Sequence, residues 1–257
     1  MIVHQVEAVV LRTWPIHEAD QIVSLFTRDY GKIKGVAKSA ARSRRRFGGA
    51  LEPMTHVRAH YAEKPSQELV RLDSFDILHS PLAEPVDYAR AAALAFFAEV
   101  LEQTLPDHDP HDVVFRLLLS VLEQTRVDRI WMPITYFALW ITRLMGWLPD
   151  LTRCLFCGAS LAGQAAYFHY SSDGLVCAEH KQIGENGYHA VTSYATALTP
   201  DSQLLAVRIF RSPASALAVE SWPRNRGADL RRFAIQSLER HLERKLTTAA
   251  ALLRLGG

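Results

Sequence analysis

Residues 21–37 read QIVSLFTRDYGKIKGVA, and this stretch decides the fold of the first part of the chain. Two short runs rich in β-branched and apolar residues, 21–27 and 33–37, are separated by turn residues, as is typical of short β-strands. Similar β-rich segments, bounded by turn signals, lie at 7–12, 56–61 and 68–72. Five short strands within about eighty residues predict a small closed barrel, with the OB-fold as the leading candidate.

After Pro81 the sequence changes to helical patterns. Helical composition at 86–105, an apolar face at 111–126 and a 3.6-residue period at 133–145 predict three helices, and further helices are predicted at about 200–211 and 227–254. A chain of 257 residues is long enough for two domains. We therefore predict an α+β architecture: an OB-fold DNA-binding barrel at 1–80, and an all-helical domain at 81–257 that contains an inserted zinc knuckle at 151–185.

All three cysteines fall in one pattern, Cys154-x2-Cys157 followed after nineteen residues by Cys177-x2-His180. Each knuckle delivers two ligands from one turn, and the loop between them lets the second pair complete a tetrahedron around Zn²⁺. Gly158 fits such a knuckle, because a Cβ there would crowd the backbone N–H groups that approach the thiolates. Four protein ligands leave no position for water, so we expect one structural zinc ion per chain.

The cysteines have an alternative interpretation as buried thiols in a reducing compartment, since free cysteine packs as a small hydrophobe. The fourth ligand also has alternatives, because His169 and His189 lie nearby in the sequence and could replace His180. His180 is preferred because it alone completes a second two-ligand knuckle. An odd number of cysteines in metal spacing argues against disulfides and favours a cytoplasmic protein.

Seven cations with no carboxylate among them occur within residues 31–49: Lys32, Lys34, Lys38, Arg42, Arg44, Arg45 and Arg46. Such a run repels itself, and phosphates along a nucleic-acid backbone match it in sign and repeat. Because small β-barrels often bind single strands, we predict sequence-independent nucleic-acid binding by these residues. The alternative is a solvated charged surface. Tyr30, Phe47 and Tyr61 could stack on bases, but aromatic residues in a barrel are more often part of the core.

Several functional classes have no support in the sequence. The glycine-rich loops of nucleotide-binding enzymes and the H-E-x-x-H motif of zinc proteases are absent. The acidic, histidine-containing turn at 107–112 favours helix capping over a hydrolytic metal cluster. There is also no apolar run of eighteen residues, and the first residues lack the positive region, apolar core and cleavage site expected of a signal peptide. We therefore expect that the protein is not an enzyme, that it has no membrane partner, and that its location is cytoplasmic and nucleoid-associated.

An ordered series of motifs runs through nearly the whole chain. In order, they are EAVVLR at 7–12, HEAD at 17–20, LFT at 25–27, YGK at 30–32, VAKSAAR at 36–42, LEP at 51–53, LPDHDP at 105–110, GWLPDL at 146–151 before the first cysteine pair, and RRF at 231–233. In this series the chain closely resembles the RecO family of bacterial recombination mediators. The resemblance implies an OB-fold, then a helical domain with a zinc site in many members.

The resemblance also implies activities, partners and site residues. It implies binding of single- and double-stranded DNA, annealing of complementary strands, a complex with RecR, and contact with SSB that helps RecA replace SSB on DNA. By this resemblance, the family's basic barrel region contains Lys32, Lys38, Arg42 and Arg44–Arg46. The positions of its metal ligands are occupied by Cys154, Cys157 and Cys177. His180 stands where many members have a fourth cysteine. The competing hypothesis is a zinc-stabilised protein-interaction scaffold in which DNA contact is secondary.

Overall fold

A computed structural model of the protein describes residues 2–16, 18–64, 67–168, 173–181 and 196–255. Its first five strands are β1 (Ile2–Pro15), β2 (Gln21–Thr27), β3 (Gly31–Ala37), β4 (His56–Glu63) and β5 (Val70–His79). They pair in the order β1-β2-β3-β5-β4, and β4 pairs with β1 to close the barrel. The pairing of β3 with β5 is parallel and short, and the others are antiparallel. The prediction of an OB-like sheet followed by helices is confirmed.

The alternation of side chains along the strands fills this barrel. Val23 and Leu25 of β2 lie in the apolar core, and Leu25 is paired with Val10 on one side and Ile33 on the other. Directly paired residues share a face of the sheet, so the register brings apolar side chains together inside. β1 and β5 are longer than the sequence predicts. Pairing with β4 extends the start of β1, and pairing with β2 extends its end. Pairing with β4 also extends β5 to His79, with two irregularities in the register.

Helices and the barrel form one compact unit, Met1–Asp128 together with Leu246–Gly257, which we call the barrel unit. Its helices are α1 (Arg44–Phe47), α2 (Tyr88–Thr104), α3 (Asp112–Gln124) and α8 (Thr247–Arg254). The backbone N–H groups of Thr247 and Thr248 at the start of α8 donate to the carboxylate of Glu99 in α2, at 2.9 and 2.8 Å. The packing of the barrel unit thus extends well beyond residue 80, near which the sequence predicts a domain boundary.

The second compact unit, Arg129–Lys245, is called the helical unit. It contains α4 (Trp131–Leu144), α5 (Pro200–Arg211), α6 (Ala214–Ala218), α7 (Ala228–His241) and a two-stranded sheet of β6 (Ala166–Phe168) and β7 (Thr196–Leu198). The prediction of one helix over 227–254 is wrong, because the backbone leaves helical geometry after His241 and Glu243 adopts a φ of 53°. None of the described helices is long and apolar enough to cross a bilayer.

A buried arginine organises the helical unit. Arg231 of α7 donates to Thr135 Oγ1 at 3.0 Å and to the Arg224 carbonyl at 2.7 Å, and its guanidinium lies 4.6 Å from the centroid of the Trp131 ring. Burial lowers the pKa of Arg231 to about 10, so it stays charged at neutral pH. Arg231, the first residue of the RRF motif at 231–233, therefore has a structural role, whereas Arg232 is exposed.

Candidate metal centre and nucleic-acid interface

Four side chains converge in the helical unit: Cys154, Cys157, Cys177 and His180. Their potential ligand atoms all lie within 4.8 Å of one another. The Sγ atoms of Cys157 and Cys177 are 3.9 Å apart, and His180 Nδ1 lies 3.1 Å from Cys177 Sγ and 3.9 Å from Cys154 Sγ. Sulfur ligands about 2.3 Å from a tetrahedral ion are separated by about 3.8 Å. The cluster is therefore spaced to hold a metal ion, and the predicted convergence of these four residues is confirmed.

The knuckle backbone prepares the first thiol for metal binding. Burial raises the pKa of Cys154, but backbone N–H groups of Cys157, Cys177 and Phe156 outweigh burial and bring it to about 6. The thiolate, which is the form that binds metal, is thereby favoured. The predicted reason for Gly158 is wrong, because a Cβ there would meet nothing within 4 Å. Gly158 is needed for its φ of 69°, a left-handed conformation that glycine adopts without strain.

The alternatives for the fourth ligand, His169 and His189, lie outside the described residues. Within the described ranges, the cysteine–histidine cluster is the one group with metal-binding spacing. The acidic turn at 107–112 does not form such a group there, and it does not cap α3 through a side chain, because His111 at the N-cap makes no capping hydrogen bond. Asp109 instead pairs with His111 at 3.2 Å.

The second candidate site is the turn that follows β3, residues 38–47, which we call the cationic turn. It consists of a 3₁₀ turn, Ala40–Arg42, and the short helix α1. Two backbone N–H groups tie it to the β1–β2 loop: Ser39 donates to Asp20 Oδ1 at 2.7 Å, and Ala41 donates to the Ala19 carbonyl at 3.1 Å. Phe47 anchors its end in the barrel core, edge-on to Phe75 at 5.4 Å. The turn is thus a fixed part of the barrel.

Four of the predicted DNA contacts are exposed on the cationic turn: Lys38, Arg42, Arg44 and Arg45. Arg42 pairs with Glu18 at 3.2 Å, yet its side chain remains 72% exposed. Within the described parts of the chain, the side chains of Lys38, Arg44 and Arg45 have no ion pair or hydrogen bond. An exposed ion pair contributes little, so Arg42 is also free to exchange Glu18 for another anion.

Arg46 has a different place in the cationic turn. Its guanidinium donates to Ser43 Oγ at 3.0 Å and to the Lys38 carbonyl at 2.5 Å, and it lies 5.2 Å from the centroid of the Phe47 ring. These contacts hold the turn closed. Phe47 and Tyr61 are each 2% exposed, which confirms that they are core residues, whereas Tyr30 is 42% exposed.

The structure separates Lys32 and Lys34 from the cationic turn. Lys32 is 7% exposed, and its ammonium pairs with Asp107 at 3.3 Å and donates to the Glu102 carbonyl at 2.7 Å. Lys34 is 38% exposed and lies 3.5 Å from the same Asp107 carboxylate. Asp107 lies seventy-five residues from Lys32, so the sequence does not indicate this pair. The one local signal is the run Asp107-His108-Asp109, whose backbone lies against β3: the His108 N–H donates to the Lys32 carbonyl at 2.9 Å.

A further surface, not predicted from the sequence, lies on β1. Arg12 and Trp14 are two residues apart on one strand and therefore share a face. The Arg12 guanidinium lies 5.0 Å from the centroid of the Trp14 ring. Arg12 is exposed and Trp14 is half-buried. The sequence predicts that this strand ends at residue 12, so it does not place Trp14 in the sheet.

Comparison with known proteins identifies the family of the chain. A family model described as recombination protein O N terminal matches residues 1–81, and the model of its C terminal matches residues 85–250. The DNA repair protein RecO of Koribacter versatilis (strain Ellin345) is 54% identical over 251 residues, or 98% of each chain. That of Anaeromyxobacter sp. (strain K) is 31% identical over 252 residues, 96% of this chain and 95% of the relative. The chain belongs to the RecO family.

Proposed function

We propose that this chain is a non-enzymatic DNA-binding protein of recombinational repair. It binds single- and double-stranded DNA, anneals complementary strands and, with RecR, helps load RecA onto SSB-coated single-stranded DNA. The names of its relatives support the repair role. The observation that carries the DNA contact is the exposed group of cations on the cationic turn. A cytoplasmic, nucleoid-associated location is part of this proposal.

Phosphate groups are the ligands that suit the cationic turn best. Its exposed guanidinium groups present several N–H donors each, and its backbone is already fixed by Phe47 and the β1–β2 loop. Little conformational entropy is then lost on binding. We propose that the contacts are made by Lys34, Lys38, Arg42, Arg44, Arg45 and Arg46. Lys32 is the exception among the seven, because both contacts of its ammonium are internal and its side chain is buried.

The salt dependence of DNA binding tests the site. Each phosphate that a cation neutralises contributes about 0.9 to the slope of log K against log salt for duplex DNA, and about 0.7 for single strands. The triple variant Arg44→Ala, Arg45→Ala and Arg46→Ala should lose up to about three such contacts. Because Arg46 also closes the turn, the double variant Arg44→Gln and Arg45→Gln is the cleaner test, and it should lose about two phosphate contacts.

A matched control removes the same number of positive charges from a different part of the surface. The double variant Arg58→Gln and Arg116→Gln removes two exposed cations from the barrel unit, outside the cationic turn. It should leave the slope nearly unchanged. Strand annealing on SSB-coated DNA, measured with the same variants, then tests the mediator role. Equal slopes for wild type and the Arg44/Arg45 variant would refute the assignment of DNA contact to the turn.

The scaffold hypothesis makes a different prediction. If the chain mainly recruits proteins, its contacts with RecR and SSB persist after nuclease treatment and in the Arg44/Arg45 variant, while annealing is unaffected by that variant. We propose that direct protein contacts and DNA contacts coexist in one molecule. Pull-down with purified RecR and SSB, with and without nuclease, separates direct contacts from those bridged by DNA.

We further propose that the metal is a single structural zinc ion. Three thiolates and an imidazole are soft-to-intermediate ligands that suit Zn²⁺ in tetrahedral geometry, and four protein ligands leave no open position for chemistry. Cys154, Cys157, Cys177 and His180 would hold it, and the ion would stabilise a segment whose described residues, 151–168 and 173–181, contain little regular structure. Elemental analysis of the purified chain should give one zinc per chain. A stoichiometry near zero after purification without chelator would contradict this proposal.

A further inference from the structure

A partly open row of side chains crosses the outer face of the barrel. Val23 and Leu25 of β2 lie in the core, so the alternating residues of that strand face outward. The register places Trp14 opposite Ile22, Ile22 opposite Val36, and Val36 opposite Arg71. The first three are half-buried and Arg71 is exposed. We call these four residues the outer row.

Other elements cover the rest of the outward face of β2. Ser24 donates to Glu102 Oε2 of α2 at 2.7 Å, and the ring of Phe26 lies edge-on to Phe115 of α3 at 5.5 Å. Both residues are fully buried. Ile22, at the start of the strand, is not buried in this way. The helices therefore cover the strand from Ser24 onward and leave the outer row accessible.

Positive charge surrounds this apolar row. The Arg12 guanidinium lies over Trp14, and Arg71 ends the row in an exposed ion pair with Asp73 at 2.9 Å. Val36 is two residues from Lys38, where the cationic turn begins. The hydrogen bond from the Ser39 N–H to Asp20 holds that turn against the loop that connects Trp14 to Ile22. An aromatic and apolar strip thus lies next to a group of exposed cations.

This combination fits a single-stranded nucleic acid better than a duplex. Unpaired bases expose π-faces that stack on tryptophan, while their phosphates contact neighbouring cations. In a duplex the bases already stack on one another, and only phosphates reach a surface of this kind. An arginine over the indole adds a second planar group on which a base can lie.

We propose that Trp14 stacks on a base of single-stranded DNA and that the outer row is the platform that separates single-strand binding from duplex binding. This inference rests on the proposed function, since it assigns the substrate class of the same DNA interface. Phosphates contact the cationic turn in both DNA forms, and the bases contact Trp14 only in the single-stranded form.

The test compares Trp14→Leu and Trp14→Phe with wild type on a labelled oligothymidylate and on a matched duplex, by fluorescence anisotropy at several salt concentrations. Loss of base stacking on one aromatic ring corresponds to about five-fold to a hundred-fold weaker binding. Trp14→Leu should weaken oligothymidylate binding in that range, with duplex affinity and both salt slopes unchanged. Trp14→Phe should restore most of the lost affinity. Tyr88→Leu removes a 68% exposed ring outside the outer row and should change nothing.

Each outcome decides the proposal. If Trp14→Leu weakens both DNA forms equally while its melting temperature matches that of wild type, Trp14 supports binding in general and the stacking role is overturned. Unchanged oligothymidylate binding would overturn it too, and would leave the row for another occupant such as an acidic, apolar peptide. If wild type binds neither form, the proposed function itself fails. If wild type binds duplex normally and Trp14→Leu changes neither DNA form, only the stacking role of Trp14 is refuted and the proposed function stands.

Discussion

Replacing Lys32 with methionine should destabilise the barrel unit without altering DNA contact. Methionine keeps the apolar stem of the side chain and removes the ammonium. The loss is a charge-assisted hydrogen bond to the Glu102 carbonyl, 2.7 Å long, and an ion pair with Asp107 at 3.3 Å. Such a bond at a buried site contributes about 1.5–3 kcal/mol. Asp107 is 47% exposed, so water solvates its charge in the variant and the ion pair adds little.

The expected loss in free energy of unfolding for Lys32→Met is therefore about 2 kcal/mol. In a unit of this size, that corresponds to a fall in Tm of about 4–8 °C, measured by thermal melting with far-ultraviolet circular dichroism. The slope of log K against log salt for duplex DNA should stay at the wild-type value, because the ammonium contacts no phosphate.

Lys34→Met provides the matched comparison, since Lys34 reaches the same carboxylate from a position that is 38% exposed. Its loss should change stability by less than about 1 kcal/mol. The salt slope should fall by about 0.9, as expected for one phosphate contact. A Lys32→Met protein with wild-type Tm and a reduced slope would refute the structural role of Lys32 and restore it to the DNA contacts.

Three further predictions test other parts of the molecule. Gly31→Ala should destabilise the barrel unit by clearly more than Gly49→Ala in urea unfolding. Both glycines have positive φ, which costs alanine about 1 kcal/mol, but only at Gly31 would the new Cβ clash, because it would lie 2.2 Å from the Asp109 carbonyl oxygen. Equal losses in the two variants would contradict this. Cys154→Ser should lower the zinc content and make the helical unit sensitive to limited proteolysis while the salt slope of DNA binding is kept; loss of both together would contradict the separation of the two sites. Burial holds the pKa of His56 below its usual value although Glu7 lies 2.8 Å away. Unfolding therefore takes up a proton, and stability falls as pH drops below about 6.5. His56→Gln should show a smaller fall in Tm between pH 7 and 5.5 than wild type, and an equal fall would assign that pH dependence to other groups.

Local signals explain which parts of the fold follow from the sequence. The strand at 21–27 has the predicted bounds because turn residues stand at both ends and its core residues alternate. The long β5 was predicted only at its start, since residues 73–79 mix acidic and apolar side chains without a clear period and are held in the sheet by pairing with β4. Similarly, no proline or glycine marks the break after His241 that divides α7 from α8.

The two candidate sites differ in how far the sequence could define them. The metal ligands are two short pairs, so their spacing alone brings each pair together and only the fold between them was unknown. The seven cations also lie within one short stretch, residues 32–46, but burial and local contacts give them different roles. Lys32 points into a contact with Asp107, and Arg46 closes its own turn. Neither result is visible in a run of charges, because each depends on which residues the fold brings near.

The return of α8 to α2 has a consequence for how the protein is made. Residues 129–245 are synthesised before Thr247 and Thr248 can reach Glu99, so a ribosome must complete the helical unit before the barrel unit can acquire its last helix. The barrel's own strands are all made within the first 79 residues. An emerging chain thus contains all five barrel strands before its metal ligands are translated, and removal of α8 should destabilise the part of the protein that is made first.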